Sequence, residues 1–395
     1  MSIQEAVVLS CVRTPVGRAK KGKLAQTQPV AMGAAAVEEA LRRVPGLDPA
    51  RVDDVLMGCA MPEGPQGLNV GRLVAQRAGL PDSVPGATVN RFCSSGLQTI
   101  AMATQAIECG QADVVVGGGT ESMTMVPMEG FHFVPDPTLI QREPNAYISM
   151  GLTAERVAEQ YKVSREDQDA FALRSHQRAV DALDAARFEE EIVPMQVEVM
   201  DRRDGRIDVS HLEFGVDEGP RADTDAAALA RLRPVFKKGG SVTAGNSSQM
   251  SDGGAAAVVT SRAVADELGV APMARLCSFA VAGVAPDVMG IGPVEAVPKA
   301  LARAGLKLDD IGLVELNEAF ASQSLAVIRQ LGLDEGIVNV NGGAIALGPP
   351  LGCTGTQLTA TLLHEMKRRE VRYGLVTMCI GAGMGAAGVF ENLAL

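Results

Sequence analysis

Two cysteines stand where a thiol could react. Cys93 lies in Asn90-Arg91-Phe92-Cys93-Ser94-Ser95-Gly96, at the junction of a loop and an uncharged helical stretch. Free N–H groups give a helix its positive N-terminal end, and that field favours thiolate, the nucleophilic form. The small residues after Cys93 leave room for a substrate. Cys379 ends a strand-like run and opens the glycine-rich turn Gly381-Ala382-Gly383-Met384-Gly385. Glycine lets a backbone N–H come close to a ligand oxygen. Asn317, in Glu315-Leu316-Asn317-Glu318-Ala319-Phe320, could hold a water or donate to an oxyanion. Two small-residue loops complete the set. One, Ala244-Gly245-Asn246-Ser247-Ser248-Gln249-Met250-Ser251-Asp252-Gly253, suits an amide-rich ligand arm; the other runs from Asn339 to Gly352. Each feature alone has a plainer reading: a buried cysteine as packing, Asn317 as a helix cap, the glycine runs as tight turns.

The elements that must position these groups alternate. Residues 6–10, 52–58 and 113–116 read as strands, and 30–43, 70–78 and 96–108 as helices. Strands interleaved with helices predict an α/β fold with a parallel or mixed sheet. From Gly96 to Ile107 no residue is charged, so that helix should be buried on all sides, in a central layer. The 113–116 strand is expected to run into a turn at Gly117-Gly118-Gly119. The pattern then recurs. Leu308-Asp309-Asp310-Ile311 echoes Val52-Asp53-Asp54-Val55, and Cys353-Thr354-Gly355 opens a helix as Cys93-Ser94-Ser95-Gly96 does. The strand after it leads to the Gly381 turn, the expected counterpart of the Gly117 turn. Two related halves follow: residues 1–120 with 241–268, and 269–395. The 121–240 segment between them reads as an insertion, with a capping box at Ser164-Arg165-Glu166-Asp167 and a turn at Arg202-Arg203-Asp204-Gly205. Such an insertion carries ligand or oligomer contacts, or simply decorates the surface.

Composition narrows the function. The chain has 395 residues, 47% of them hydrophobic, enough for two or three domains or a duplicated unit. A net charge of −11 argues against a nucleic-acid platform. Any anionic ligand must be met by local Arg, Lys or backbone N–H groups. With 43 glycines, 3% aromatics and no Trp, tightly apposed backbones are expected rather than an aromatic groove. The seven cysteines are odd in number and contain no C-x-x-C, and none of the four histidines sits at metal-ligand spacing, so neither a disulfide framework nor a metal site is expected. No secretory signal, lipidation signal or membrane span is read, which makes a cytoplasmic protein the expectation.

Together, and in this order, the motifs resemble those of the thiolases, acyltransferases that make or cleave 3-ketoacyl-CoA. The resemblance covers essentially the whole chain and includes Arg13-Thr14-Pro15-Val16-Gly17 and Gly118-Gly119-Thr120-Glu121-Ser122-Met123. It implies the thiolase fold, a duplicated five-layer αβαβα arrangement with an inserted loop domain. It implies that Cys93 is the acylated nucleophile and Cys379 the acid/base at the acetyl carbon. Asn317 would position a water in one oxyanion hole, and the N–H groups of Cys93 and Gly381 would form the other. Ser248, Met150, Met289 and Phe320 match positions at the pantetheine and acyl end, and Arg221 one near the CoA nucleotide. CoA and acyl-CoA are the implied substrates, with no bound cofactor, and a homodimer or homotetramer is the implied assembly. The apolar 123–134 stretch fits such contacts. Asn246-Ser247-Ser248-Gln249 and Ala146-Tyr147-Ile148-Ser149-Met150 are closer to degradative members; acetoacetyl-specific ones often carry His where Ser149 stands.

One position departs. The family writes Gly-His-Pro-Leu-Gly, and this chain has Gly348-Pro349-Pro350-Leu351-Gly352. The family histidine deprotonates the nucleophile and donates to an oxyanion hole; Pro349 has no ionisable group and no N–H. The nearest histidine along the chain, His364, matches no motif. Loss of a general base costs roughly 10²–10⁴ in rate, and loss of an oxyanion donor about 10²–10³. The expected activity is therefore that of an impaired thiolase. The alternative is a thiolase-fold CoA-binding subunit with little turnover.

Overall fold

The computed structural model describes residues 4–203 and 206–395. The strands are β1 (Ala6–Arg13), β2 (Gly17–Arg18), β3 (Asp54–Gly58), β4 (Gly86–Val89), β5 (Val114–Ser122), β6 (Met195–Arg203), β7 (Arg206–Phe214), β8 (Ser251–Ser261), β9 (Ala274–Gly283), β10 (Leu313–Leu316), β11 (Tyr373–Ile380) and β12 (Met384–Asn392). The helices are α1 (Pro29–Arg42), α2 (Val70–Arg77), α3 (Ser95–Glu108), α4 (Pro137–Arg142), α5 (Met150–Gln160), α6 (Arg165–Asp184), α7 (Ala226–Ala230), α8 (Arg262–Leu268), α9 (Gly292–Ala304), α10 (Ala321–Leu331) and α11 (Thr354–Arg369).

The same connectivity is written twice. β3 lies parallel to β4 and β5, and β8 lies antiparallel to β5 and β1. β10 lies parallel to β11, and β12 lies antiparallel to β11 and β9. A bridge sets Val338 beside Val314 of β10, the place β4 takes beside β3. A 3-10 turn precedes β3 at Pro49–Arg51 and β10 at Leu308–Asp310, matching the sequence echo. The two halves are hydrogen bonded edge to edge where Val8 of β1 faces Ala274 of β9.

Neighbouring strand residues point to opposite faces, and here both faces are apolar because helices cover both. Val8, Val115, Val376 and Met378 face inward onto Leu97 and Ile100 of α3 and Leu358 and Leu362 of α11. Their neighbours Val7 and Val116 face outward onto Val37 of α1 and Val74 of α2. In the second half Leu375 and Val314 face Val297 of α9 and Leu325 of α10. The result is five layers, with α3 and α11 in the middle. This is the thiolase fold class expected above, and it explains why α3 carries no charged face. Bare glycines let the two central helices meet: a Cβ on Gly355 would lie 2.2 Å from the Leu97 nitrogen.

One expectation fails. β5 does not end at 116; it continues through Gly117, Gly118 and Gly119 to Ser122. A Cβ on Gly119 would lie 2.1 Å from the Gly352 carbonyl oxygen. These glycines serve close packing inside the strand, so they form no counterpart to the Gly381 turn. That turn does join β11 to β12, with Ala382 and Gly383 at φ of 65° and 81°.

The intervening segment carries α4 to α7 and the β6–β7 hairpin. The Ser164 hydroxyl caps α6 by accepting from the Asp167 N–H at 3.1 Å. The turn expected at Arg202-Arg203-Asp204-Gly205 includes Asp204 and Gly205, which lie outside the described residues. A buried guanidinium ties this segment to β1. Arg13 donates from Nε to Glu191 at 2.6 Å and bidentately to Asp217 at 2.8 Å. Among the described residues no helix is long and apolar enough to cross a membrane.

Candidate active site

Cys93 sits in the 3-10 turn Phe92–Ser94 that leads into α3. Phe92 holds a left-handed φ of 44°, which side chains with a Cβ rarely adopt. Its neighbours fix that conformation. The Phe92 N–H donates to the Asn90 side chain at 2.9 Å, and the Ser95 hydroxyl donates to the Phe92 carbonyl at 2.6 Å. Strain held this way belongs to positions the surroundings over-determine. The thiol is buried beside Ala60, Met123 and Leu351. Two backbone N–H groups, its own and that of Gly381, lie near enough to the sulfur to favour its thiolate.

The Cys93 thiol does not behave as the helix field alone suggests. Burial pushes its pKa up to about 11, and the negative charge of Glu121 adds to the rise, against the two backbone donors that pull it down. Removing a thiolate from water outweighs two N–H dipoles here. At neutral pH the resting group is the thiol, which corrects the expectation of a thiolate. Cys379 is also buried, and its pKa is raised first by burial and then by Cys93, which places the two sulfurs in one electrostatic neighbourhood.

Around Cys379 the structure gathers Met289 and Phe320, with Met150 packed against them. Phe236 meets Phe320 edge-on, ring centroids 6.0 Å apart. The Ser248 N–H donates to the Ala319 carbonyl at 3.0 Å, next to Phe320. Met150, Met289 and Phe320 therefore pack together beside Cys379, and Ser248 is tied to Ala319 of the same cluster. Arg221 stands apart: it is exposed, and its N–H donates to His176 Nδ1 at 3.2 Å. Burial, then the charge of Arg221, lowers the His176 pKa to about 4, so this imidazole is neutral at pH 7.

Asn317 is no helix cap, since Phe320 holds that place before α10. Its backbone N–H donates to the Thr377 carbonyl at 3.0 Å, which sets it beside the strand of Cys379. The side chain lines a small enclosed cavity with Pro349 and Gln357. Pro349 thus shares this cavity with Asn317. His364 is elsewhere, its Nε2 3.1 Å from the Cys11 carbonyl oxygen, so it does not stand in for the missing base.

Two residues around the site carried no role in the sequence reading. Glu121 ends the glycine stretch of β5, and its buried carboxylate accepts from Ala60 N–H at 2.6 Å, Gly352 N–H at 2.8 Å and Met61 N–H at 3.2 Å, and from the Gln66 amide. It ties the loop after Pro349 to the loop after β3. The signal was available: a lone acid in a glycine and valine strand must find donors if it is buried. The other, Gln357, gave no signal, because nothing local marks one polar residue of α11.

The family "Thiolase, N-terminal domain" matches residues 6–263, and "Thiolase, C-terminal domain" matches residues 270–392. A 3-ketoacyl-CoA thiolase of Bacillus subtilis is 57% identical over 390 residues, covering 98% of this chain and all of that one. An acetyl-CoA acetyltransferase of Pseudomonas aeruginosa is 45% identical, with 98% of each chain covered. The crystal structure of human mitochondrial 3-ketoacyl-CoA thiolase superposes with a TM-score of 0.89 at 39% identity, covering 99% of this chain and 100% of that one.

Proposed function

The chain belongs to the thiolase family, and from that premise we propose that it is a CoA-dependent acyltransferase cleaving 3-ketoacyl-CoA, or running the reverse condensation, through a thioester on Cys93. The observation that carries the reading is the Cys93 sulfur faced by the N–H groups of Cys93 and Gly381, with Cys379 beside it. In cleavage, the Cys93 thiol releases its proton to water and its sulfur adds to the 3-keto carbon. The carbon–carbon bond breaks, and Cys379 gives a proton to the departing acetyl carbon. Free CoA then adds to the Cys93 thioester, gives its proton to the Cys379 thiolate, and carries the acyl group away, while the departing Cys93 thiolate takes a proton back from water. Covalent catalysis of this kind divides one hard step into two easier ones. The two N–H groups supply an oxyanion hole; Asn317 belongs to the second.

Met150, Met289, Phe320 and Ser248 are assigned to the pantetheine and acyl end of the substrate, and exposed Arg221 to the CoA nucleotide. We assign the halves to 1–120 with 241–268 and to 269–395, with 121–240 as the inserted loop domain. A homo-oligomer, at least a dimer, and a cytoplasmic setting belong to the same proposal. Phe131, Phe133 and Val134 in the apolar stretch are more than half exposed, which motivates the oligomer. A stable monomer in light scattering at micromolar concentration overturns that part.

A second reading has its own observation. Pro349 removes the base and one oxyanion donor, which favours a CoA-binding subunit with little turnover. A thiolysis assay with acetoacetyl-CoA and a longer 3-ketoacyl-CoA separates the two. Turnover at the level of ordinary thiolases removes the second reading; binding of CoA with no acetyl mass on Cys93 removes the first.

A further inference from the structure

We propose that Gln357 is a positioning residue of this site. With Asn317 it holds one buried water beside Pro349, and through that water it sets the direction of the Asn317 amide. The proposal rests on the thiolase reading above and adds a residue to it.

The argument starts from unpaired atoms. Asn317 is 1% exposed, and neither its Nδ2 nor its Oδ1 has a hydrogen-bond partner among the described residues. Gln357 is 5% exposed, and its Oε1 is unpaired in the same sense. Buried polar atoms are rarely left so. All three belong to side chains that line one enclosed cavity, between β10, the loop before Pro349 and α11. The centre of a water molecule has about 10 Å³ of room in it, which suits a single water.

The chemistry of the wall fixes which atoms are free. Gln357 Nε2 donates to the Gly348 carbonyl at 3.2 Å; of the two amide atoms only the nitrogen can donate to a carbonyl, so Oε1 is the atom left over. The Thr354 hydroxyl is spent on the Pro350 carbonyl at 2.9 Å, and that of Thr361 on Glu191 at 2.9 Å. Glu315 also lines the cavity; burial and the carboxylates of Glu191 and Glu365 push its pKa well up, which favours its uncharged form. A water in this cavity accepts from Asn317 Nδ2 and donates to Gln357 Oε1.

The test uses the full-length protein and the variants Gln357→Met, which keeps length without an acceptor, and Gln357→Glu, which keeps one. A high-resolution crystal structure of the unmutated protein should show one water within hydrogen-bond distance of both amides, absent in Gln357→Met. In thiolysis of acetoacetyl-CoA, Gln357→Met should lower kcat about tenfold with KM little changed, less than the roughly 10²–10³ for deleting an oxyanion donor outright. Gln357→Glu should recover most of the loss. A merely structural role would lower the melting temperature of both variants without dividing kcat from KM. No bridging water, or a Gln357→Met enzyme as active as the unmutated one, overturns the proposal while leaving the thiolase reading intact. An unmutated protein that neither acylates Cys93 nor turns over sinks both, and the two failures are told apart by that control.

Discussion

The two sides of the candidate site are built from different materials. On the Cys93 side the donors are backbone N–H groups, of Cys93 and Gly381, and the strained Phe92 conformation behind them is pinned by Asn90 and Ser95. On the Asn317 side the polar groups are side chains, and both amide atoms of Asn317 and the Oε1 of Gln357 have no partner among the described residues. Backbone donors survive any substitution that leaves the turn standing. Side-chain donors are lost one residue at a time, and in the proposed reading position 349 is such a loss. The comparison predicts a site that can still form a thioester but handles the later oxyanion poorly.

The largest effect should come from the backbone-built side. Cys93→Ala is expected to abolish both turnover and the acetyl mass that acetyl-CoA leaves on the Cys93 peptide. Cys379→Ala should keep that mass while stopping carbon–carbon cleavage. A label that settles on Cys379, or on no cysteine under forcing conditions, breaks the assignment of roles. Next in size is the side-chain-built side. Pro349→His should raise thiolysis roughly 10²-fold or more by restoring a base and an oxyanion donor. An unchanged rate in a correctly folded variant would mean that the asymmetry between the two sides does not limit the enzyme.

How much of this could be read in advance differs in the same way. The central helix α3 was legible because a helix with no charged face has nowhere to go but inside. The repeated strand order was legible in the echo of Val52-Asp53-Asp54 by Leu308-Asp309-Asp310. Gly117 to Gly119 misled, because glycine marks either a turn or a close approach. The deciding atom, the Gly352 carbonyl oxygen, lies far away in sequence. The Cys93 protonation state was misjudged for a related reason: the helix field is local, whereas burial is tertiary. The site residues themselves came from resemblance, motif by motif. Gln357 was invisible, since its meaning depends on Asn317 across a cavity.

The Cys93 titration offers a quieter probe of the backbone-built side. With a thiol pKa raised to about 11 by burial, the thiolate fraction grows about tenfold per pH unit from neutrality upward. Alkylation of Cys93 by a small neutral reagent should follow that rise from pH 7 to about pH 10, with the mass located on its peptide. The sign carries into stability. A thiol whose folded pKa lies above its unfolded value stabilises the fold fully below the unfolded pKa, about 8.5, and loses that contribution as pH climbs towards about 11. An alkylation rate already at its plateau by pH 8 would show that the two N–H groups outweigh burial after all.

The smallest expected effect isolates Glu121. Its charge is the second influence raising the Cys93 pKa, after burial. Glu121→Gln removes that charge and keeps an oxygen for the N–H groups of Ala60, Met61 and Gly352. The Cys93 alkylation profile should therefore move to lower pH, by less than about one unit, because burial is untouched. The direction is what discriminates. Loss of packing that opens the site to water would also lower the thiol pKa, but it would speed alkylation of buried Cys59 and Cys353 as well. A shift confined to Cys93 ties the carboxylate to the nucleophile; no shift in a folded variant leaves Glu121 as a brace between the β3 and Pro349 loops, with the thiol set by burial alone.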